Sequence, residues 1–394
     1  MTTYQVPSIS RRKFIHHSML GAAALAALPL LERQRLLGAP VTPASKVALT
    51  HGGDQADNIY KALQYFRGPI ARSIQGRRVI IKPNCVMDQD QPTWHANGAY
   101  VERSNTNVKV LEGILEFLKS IGIDQVTIAE SCAYCNTFTP METLGYFNLA
   151  KRYKVKFVDM NQEAFDETDV YSGATTKKVR VSRVISDPGN YIISAARMKT
   201  HDSVVATLSL KNIGMSSPIQ DVSKKRKDKG TMHGNADANV PGTAQNLNDN
   251  LTLLAKRGIR PHLAVVDAYE GIEDDGPIFG LPVEHRVAVA SLDFLAADRV
   301  CCELMGLTDA RADYQPAYLK YCAQEGLGTF DLSQIEVVGE KLSDHLREYK
   351  LHSQVEWEVS GLSPITRSKR ALSKAPVHQT NQTYEMGPDP RYKS

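Results

Sequence analysis

The apolar run Arg78–Lys82, RVIIK, leads directly into the polar triplet Pro83-Asn84-Cys85. A continuous Val/Ile run of this length is typical of a strand buried on both faces of a parallel sheet. Similar runs recur along the chain and alternate with longer stretches in which apolar residues keep helical spacing. This alternation predicts an α/β fold of the doubly wound type, with a mostly parallel sheet and flanking helices.

The same patterns give the bounds of the other elements. The predicted strands are Lys46–Thr50, Arg78–Lys82, Gln125–Glu130, Lys154–Asp159, Lys178–Ile185, Tyr191–Ala195, His262–Ala268 and Val287–Ser291. The predicted helices are Asp57–Phe66, Asn107–Ile121, Met141–Lys151, Thr243–Arg257, Phe294–Met305 and Pro316–Glu325. The segment between Lys211 and Gly242 lacks periodicity and is rich in Gly, Ser, Asn and Lys, so we expect a long irregular loop around residues 211–242.

The N-terminal segment has the pattern of an export signal. Arg11 and Arg12 precede an apolar run from Met19 to Leu31, and this order resembles a twin-arginine signal sequence. The run is about 13 residues long, whereas a membrane-spanning helix needs roughly 20. We therefore expect export by the twin-arginine machinery, cleavage after Ala44 and a periplasmic or other extracytoplasmic location. The alternative is an uncleaved membrane anchor.

The export signal also holds the excess charge of the chain. Residues 1–44 contain five basic residues and one acidic residue, which account for the whole formal net charge of +4. After the signal we expect an α/β domain over residues 45–362 and an extended or disordered tail over residues 363–394. Residues 45–394 have no net formal charge. Neutrality argues against a nucleic-acid partner, and no second apolar stretch predicts a membrane partner after cleavage. The basic run Lys224–Lys229 is interpreted as a solvated loop.

Polar residues follow the predicted strands at their carboxyl ends, where ligands bind in open α/β sheets. Lys199 and His201 lie two positions apart, so in an extended chain their side chains point the same way. Lysine, amide and imidazole groups together suit a small anionic ligand, a carboxylate or a phosphate. The alternative is that the lysines are surface charges and that His201 is an ordinary loop histidine. The predicted anion-binding residues are Lys82, Asn84, Lys199, Lys211 and Asn212, and His201 is the candidate general acid or base.

A group of acidic residues follows the predicted strand His262–Ala268. Carboxylates on a loop of this kind can bind a hard divalent cation such as magnesium, calcium or manganese. The alternative is a solvated acidic turn, with Asp293 capping the next helix. The candidate metal ligands are Asp267, Glu270, Asp274 and Asp275.

Cys132 and Cys135 form a C-x-x-C pair directly after a predicted strand. In an exported protein we expect this pair first to be structural, as thiols or as a disulfide. The alternatives are a soft metal site that includes Cys85, and a redox-active pair. An iron–sulfur cluster is disfavoured because such a cluster needs about four ligands.

Several short motifs follow one another in a defined order. They are Val79–Asn84 (VIIKPN), Ala129-Glu130, Lys199–His201 (KTH), Leu210–Gly214 (LKNIG), Val266–Gly271 (VDAYEG), Asp275–Pro277 (DGP), Gly280–Pro282 (GLP) and Ala290–Asp293 (ASLD). Together they resemble the domain-of-unknown-function family numbered 362, over roughly Arg78 to Leu307. The resemblance implies no settled reaction. Some members carry a fused ferredoxin-like segment with closely spaced cysteines, which is absent from this sequence.

Three functions fit these residues. The first is an exported enzyme that binds a small anionic substrate, with or without a divalent metal, at the carboxyl edge of the sheet. The second is an anion- or metal-binding protein without catalysis. The third is a thiol-based redox or metal-handling protein that uses Cys85, Cys132 and Cys135. The resident cofactor and the oligomeric state do not follow from the sequence.

Overall fold

The computed structural model describes residues 44–86, 104–133, 135–173, 175–221, 226–233, 243–352 and 355. The predicted signal peptide, apart from Ala44, and the predicted tail at residues 363–394 lie outside these ranges.

Strands and helices alternate along the described chain. The strands are β1 (Ser45–His51), β2 (Arg78–Lys82), β3 (Gln125–Glu130), β4 (Lys154–Asp159), β5 (Phe165–Ser172), β6 (Thr175–Ser182), β7 (Asn190–His201), β8 (Val205–Thr207), β9 (Gln220–Asp221), β10 (Arg226–Lys227), β11 (Leu263–Glu273), β12 (Leu281–Ser291) and β13 (Ile335–Gly339). The helices are α1 (Gln55–Gln64), α2 (Arg67–Ile74), α3 (Val108–Ser120), α4 (Phe138–Thr143), α5 (Arg183–Ser186), α6 (Ser209–Ser216), α7 (Asp228–Met232), α8 (Thr243–Lys256), α9 (Phe294–Leu304) and α10 (Ala317–Gln324). Short 3₁₀ helices lie at Tyr146–Lys151, Met160–Gln162, Asp309–Tyr314, Leu332–Gln334 and Leu342–His345. No helix within the described ranges combines the length and the apolar character that a membrane span requires.

Nine of the described strands form one sheet in the order β13-β1-β12-β11-β7-β2-β3-β4, with β8 paired to β7. The pairs β11–β7, β7–β2, β2–β3 and β3–β4 are parallel, whereas β12 runs antiparallel to both of its neighbours. The mostly parallel α/β fold predicted from the sequence is therefore confirmed. Because β2, β3, β7 and β11 run in the same direction, their carboxyl ends meet at one edge of the sheet.

Apolar side chains cover both faces of this sheet. In β2, Ile80 belongs to one hydrophobic core while Val79 and Ile81 belong to the other, because successive side chains of a strand point to opposite faces. Val300 of α9 lies in the first core, and Leu111 of α3 lies in the second. Helices thus flank both faces, as the continuous Val/Ile runs indicate.

Two predicted elements differ from the structure, one at its end and one by an interruption. The predicted strand Lys178–Ile185 is wrong at its end, because β6 stops at Ser182, whose hydroxyl oxygen caps α5 by accepting the N–H of Val184. The predicted helix Met141–Lys151 is two shorter helices, separated at Gly145, which has a φ of +75°. A left-handed φ of this kind ends a helix and is adopted readily by glycine.

The predicted irregular loop at residues 211–242 is wrong at its start, where α6 continues to Ser216, and in its middle, where α7 forms. The buried carboxylate of Asp298 accepts hydrogen bonds from the N–H groups of Ser209 and Leu210 at 2.8 and 3.0 Å. It thereby supplies acceptors for N–H groups in the first turn of α6 that have no acceptor within the helix. This capping residue lies 89 positions away in the sequence. Residues 222–225 and 234–242 of the predicted loop lie outside the described ranges.

Candidate functional site

Four lysines are buried at the carboxyl edge of the sheet. Lys82 ends β2, Lys199 lies near the end of β7, and Lys211 and Lys229 lie in α6 and α7. The exposed fraction is 0% for Lys82 and Lys199, 8% for Lys211 and 7% for Lys229. A lysine is almost never fully buried unless it is paired. We therefore take these four residues, the lysine cluster, as the candidate functional site.

Glu130 is the carboxylate in direct contact with the lysine cluster. It ends β3, is buried, and its Oε2 lies 2.9 Å from the Nζ of Lys82. It also accepts the backbone N–H groups of Cys85 and Ser131 at 2.7 and 2.8 Å. Burial lowers the pKa of Lys82, and the charge of Glu130 opposes that change. In the described part of the chain no other carboxylate lies within ion-pair distance of the lysine cluster, although the charges of Asp202 and Asp159 act on Lys211 and Lys229 from further away.

Two asparagines connect Lys82 to the rest of the site. The Oδ1 of Asn212 accepts hydrogen bonds from the Nζ of Lys82 at 2.6 Å and from the Nδ2 of Asn84 at 3.2 Å. The Nδ2 of Asn212 donates to the Lys82 carbonyl at 3.2 Å and to the Ser194 hydroxyl oxygen at 3.0 Å. The structure thus places three of the predicted anion-binding residues in one hydrogen-bonded network.

Lys199 and Lys211, the other two predicted lysines, have fewer partners. The Nζ of Lys199 donates to the carbonyl oxygen of Ser104 at 2.6 Å, and burial together with the positive charge of Lys211 lowers the pKa of Lys199 well below its usual value. Burial also lowers the pKa of Lys211, to about 8. The charge of Asp202 opposes that change, and among the residues that the structure describes the ammonium of Lys211 has no hydrogen-bond acceptor.

Lys229 is a site residue that sequence reasoning missed. Its Nζ donates to the carbonyl oxygen of Ser131 and, at 2.7 Å, to the hydroxyl oxygen of the same residue. Burial lowers the pKa of Lys229 to about 7, and Glu130 opposes that change. The interpretation of the run Lys224–Lys229 as solvated is therefore wrong for its last lysine. The sequence signal that could have revealed Lys229 was the pair Glu130-Ser131. A carboxylate and a hydroxyl at the end of a buried strand need hydrogen-bond donors from elsewhere in the chain.

His201, the predicted general acid or base, is buried beside Lys211. Burial and the charge of Lys211 lower the pKa of His201 to about 4, so the ring is neutral at pH 7. Its Nδ1 accepts the N–H of Ser203 at 3.0 Å and lies 2.8 Å from the Asp202 carboxylate, a contact that becomes an ion pair only when the ring is protonated. His233 has the same low pKa of about 4, from burial and from Lys211.

The first two predicted metal ligands each have partners within the protein. Asp267 is buried, accepts hydrogen bonds from the Nε2 of Gln55 at 2.9 Å and from the N–H of Tyr269 at 3.1 Å, and has a pKa raised by burial. Glu270 forms an ion pair with Arg197 at 2.8 Å.

The other two predicted metal ligands pair with the C-terminal part of the domain. Asp274 lies 2.7 Å from the Nζ of Lys350, and Asp275 lies 3.6 Å from the Nε2 of His352. Within the described ranges, no three His, Cys, Asp or Glu side chains are grouped so that they could hold a metal ion. Asp267, Glu270, Asp274 and Asp275 are therefore not brought together as a group of three or more within the described ranges. Asp293 instead caps α9, as the alternative interpretation held.

The cysteines do not form the alternative metal site either. Cys132 and Cys135 are joined by a disulfide, with their Cα atoms 5.7 Å apart, so their sulfur atoms are not free to bind a metal. The pair is thus a disulfide, one of the two forms expected first for it. Cys85 is a buried free thiol whose pKa is raised to about 12 by burial and by the charge of Glu130. At neutral pH it is therefore a protonated thiol.

The fold and the lysine cluster together define an α/β protein with a buried amine-rich site at the carboxyl edge of a mostly parallel sheet. The chain belongs to the family described as domain of unknown function, DUF362, whose model matches residues 79–303, more than half of its length. The resemblance drawn from the sequence motifs is thereby confirmed. All four residues of the lysine cluster lie inside the matched range.

Individual relatives are distant. The chain is similar to the thylakoid-associated protein sll1697 of Synechocystis sp., with 23% identity over 236 residues, which are 60% of this chain and 65% of that protein. It thus spans slightly less than two thirds of that relative. A crystal structure of a Thermotoga maritima protein from a structural genomics consortium matches with a TM-score of 0.36 and 13% identity, over 70% of this chain and 60% of that chain.

Proposed function

We propose that this protein binds a small oxyanion in the lysine cluster. The observation that carries the proposal is the side chain of Lys211, which is 8% exposed, has no hydrogen-bond acceptor in the described chain and lies close enough to Lys199 for their charges to interact. Burial costs this amine part of its hydration, and the charge of Asp202 offsets that cost only in part, because the pKa of Lys211 still falls to about 8. A bound anion supplies the missing charge and the missing acceptor at once.

The protonation of the lysines supports the same proposal. The pKa of Lys211 is lowered to about 8 and that of Lys229 to about 7, mainly by burial. Without a ligand these amines therefore resist taking up a proton. A negative charge within a few ångströms favours the protonated amine and raises its pKa. Anion binding and lysine protonation should therefore favour each other.

The first test of this proposal is the pH dependence of stability. Lys211 and Lys229 have folded-state pKa values of about 8 and about 7, below their usual value of 10.5, so above about pH 7 the unfolded chain binds more protons. Their contribution therefore makes the unliganded protein more stable as the pH rises. Bound phosphate stabilises the charged form of these amines, so we expect it to bind best at or below pH 7. The added stability from phosphate should therefore change with pH in the opposite direction. We expect the stabilisation by phosphate to fall between pH 7 and pH 9 in urea unfolding.

The matched variant for this test is Lys229→Met, which removes one of the two amines. We expect its free energy of unfolding without phosphate to rise less between pH 7 and pH 9 than that of the wild-type protein. Phosphate that stabilises the wild-type protein equally at pH 7 and pH 9, or not at all, would contradict the proposal.

We further propose that the protein acts outside the cytoplasm and reaches that location by the twin-arginine machinery. The support is the pattern of Arg11 and Arg12 before an apolar run, together with the Cys132–Cys135 disulfide. Disulfides persist mainly in oxidising compartments.

The export proposal predicts that Arg11→Lys combined with Arg12→Lys leaves a cytoplasmic precursor and little mature protein in the periplasm of a bacterial host. The matched control changes Arg33 and Arg35 to lysine, which alters the same residue type beyond the apolar run and should not affect export. Equal periplasmic amounts of both double variants, measured by fractionation and immunoblotting, would refute the twin-arginine route.

A further inference from the structure

The amide of Asn84 is fixed in one orientation by its neighbours. Asn212 donates through its Nδ2 to the Lys82 carbonyl and to Ser194, so its Oδ1 must be the acceptor on the other side. That Oδ1 accepts from the Nζ of Lys82 and from Asn84. The atom of Asn84 that faces Asn212 is therefore its Nδ2, because turning the amide over would bring two oxygens together.

The other atom of this amide, Oδ1, is buried and has no hydrogen-bond donor in the described chain. Asn84 is 8% exposed and its backbone is fixed, because its N–H donates to the Thr106 hydroxyl oxygen at 2.8 Å and its carbonyl accepts the N–H of Thr106 at 2.9 Å. Ser104, two residues before Thr106, accepts from Lys199. An acceptor that lacks a donor thus belongs to the side chain that shares Asn212 with Lys82 of the lysine cluster.

We propose that Asn84 selects an oxyanion that keeps a proton of its own, such as hydrogen phosphate, over one that does not, such as sulfate. Hydrogen phosphate carries unprotonated oxygens for the lysine ammonium groups and one hydroxyl that donates to the Oδ1 of Asn84. Sulfate has the same shape but carries no proton near neutral pH, so it places an oxygen against the Asn84 oxygen and leaves that acceptor unpaired. An acceptor left unpaired in a buried site costs binding free energy.

This inference rests on the proposed anion site and specifies the class of its ligand. The test is isothermal titration of the mature, oxidised protein with inorganic phosphate and with sulfate at pH 8. We expect phosphate to bind at least about tenfold more tightly than sulfate, as one hydrogen bond allows. In Asn84→Leu the ratio of the two dissociation constants should fall to about one.

Asn58 provides a matched control for this variant. It is 2% exposed, and its Oδ1 is also buried without a donor, but its Nδ2 binds the carbonyls of Thr50 and Arg286, away from the lysine cluster. Asn58→Leu should keep the wild-type preference for phosphate. An unchanged preference in Asn84→Leu, or equal affinity of the wild-type protein for the two anions, would overturn the inference while leaving the anion site intact. Failure of the wild-type protein to bind either anion would refute the anion site itself.

A second measurement needs no variant. At pH 8 a phosphomonoester such as methyl phosphate is a dianion without an acidic proton, since its second pKa is near 6, whereas inorganic phosphate keeps one hydroxyl. We expect methyl phosphate to bind the wild-type protein as weakly as sulfate does. Binding as tight as that of inorganic phosphate would contradict the role of Asn84 and would identify a phosphomonoester as the ligand.

Discussion

Replacing Lys211 with methionine is expected to weaken phosphate binding at pH 7 by about a hundredfold, which corresponds to about 2.7 kcal/mol. The reason is that Lys211 is buried and has no acceptor of its own among the described residues, so its charge is directed at the ligand. The same substitution should leave the unliganded protein about as stable as the wild type, because it removes an amine whose burial outweighs the opposing charge of Asp202. Isothermal titration and urea unfolding measure the two effects.

The control for this experiment is Lys61→Met, which changes an exposed lysine of α1. It should alter neither binding nor stability appreciably. A Lys211→Met protein that binds phosphate as well as the wild type would place the site elsewhere. One that loses both binding and stability would show that Lys211 has a structural partner.

Replacing Glu130 with glutamine is expected to lower the free energy of unfolding by about 3 to 5 kcal/mol, the usual effect of removing one member of a buried ion pair. Glu130 pairs with Lys82 at 2.9 Å and holds the N–H groups of Cys85 and Ser131. The neutral amide keeps the shape but leaves the Lys82 ammonium without its counter-charge. Urea unfolding at pH 7 in phosphate-free buffer gives the value.

The matched control is Glu336→Gln, which removes one member of an ion pair between Lys46 and Glu336 at 3.3 Å. Both side chains are nearly half exposed, so we expect a change within about 1 kcal/mol. If Glu130→Gln is no more destabilising than this control, the buried pair does not organise the site.

The central strands could be predicted from the sequence because burial on both faces leaves a continuous apolar run. The predicted bounds of β2, β3 and β4 agree with the structure. The direction of β12 could not be predicted, because an antiparallel strand buried between two others has the same run of Val and Ala. Helix α6 was missed because its first turn depends on the distant carboxylate of Asp298 rather than on a local pattern.

The site was predictable where polar residues end a strand and unpredictable where partners come from distant segments. Lys82, Asn84, Lys199, Lys211 and Asn212 come together, because the carboxyl ends of β2 and β7 share one edge and α6 packs against them. Asp267, Glu270, Asp274 and Asp275 look alike in sequence, but the first three are matched by Gln55, Arg197 and Lys350, whereas the buried Oδ1 of Asp275 has no hydrogen-bond donor in the described chain. Lys229 could not be told apart from the lysines that precede it.

The most direct test of the proposed function is a titration of the mature, oxidised wild-type protein with inorganic phosphate in two buffers of different ionisation enthalpy at pH 8. We expect saturable binding at one site. We also expect net proton uptake on binding, because Lys211 and Lys229, with pKa values of about 8 and about 7, become charged. No binding up to about 10 mM phosphate, or binding without proton uptake, would contradict the proposal that the lysine cluster is an anion site.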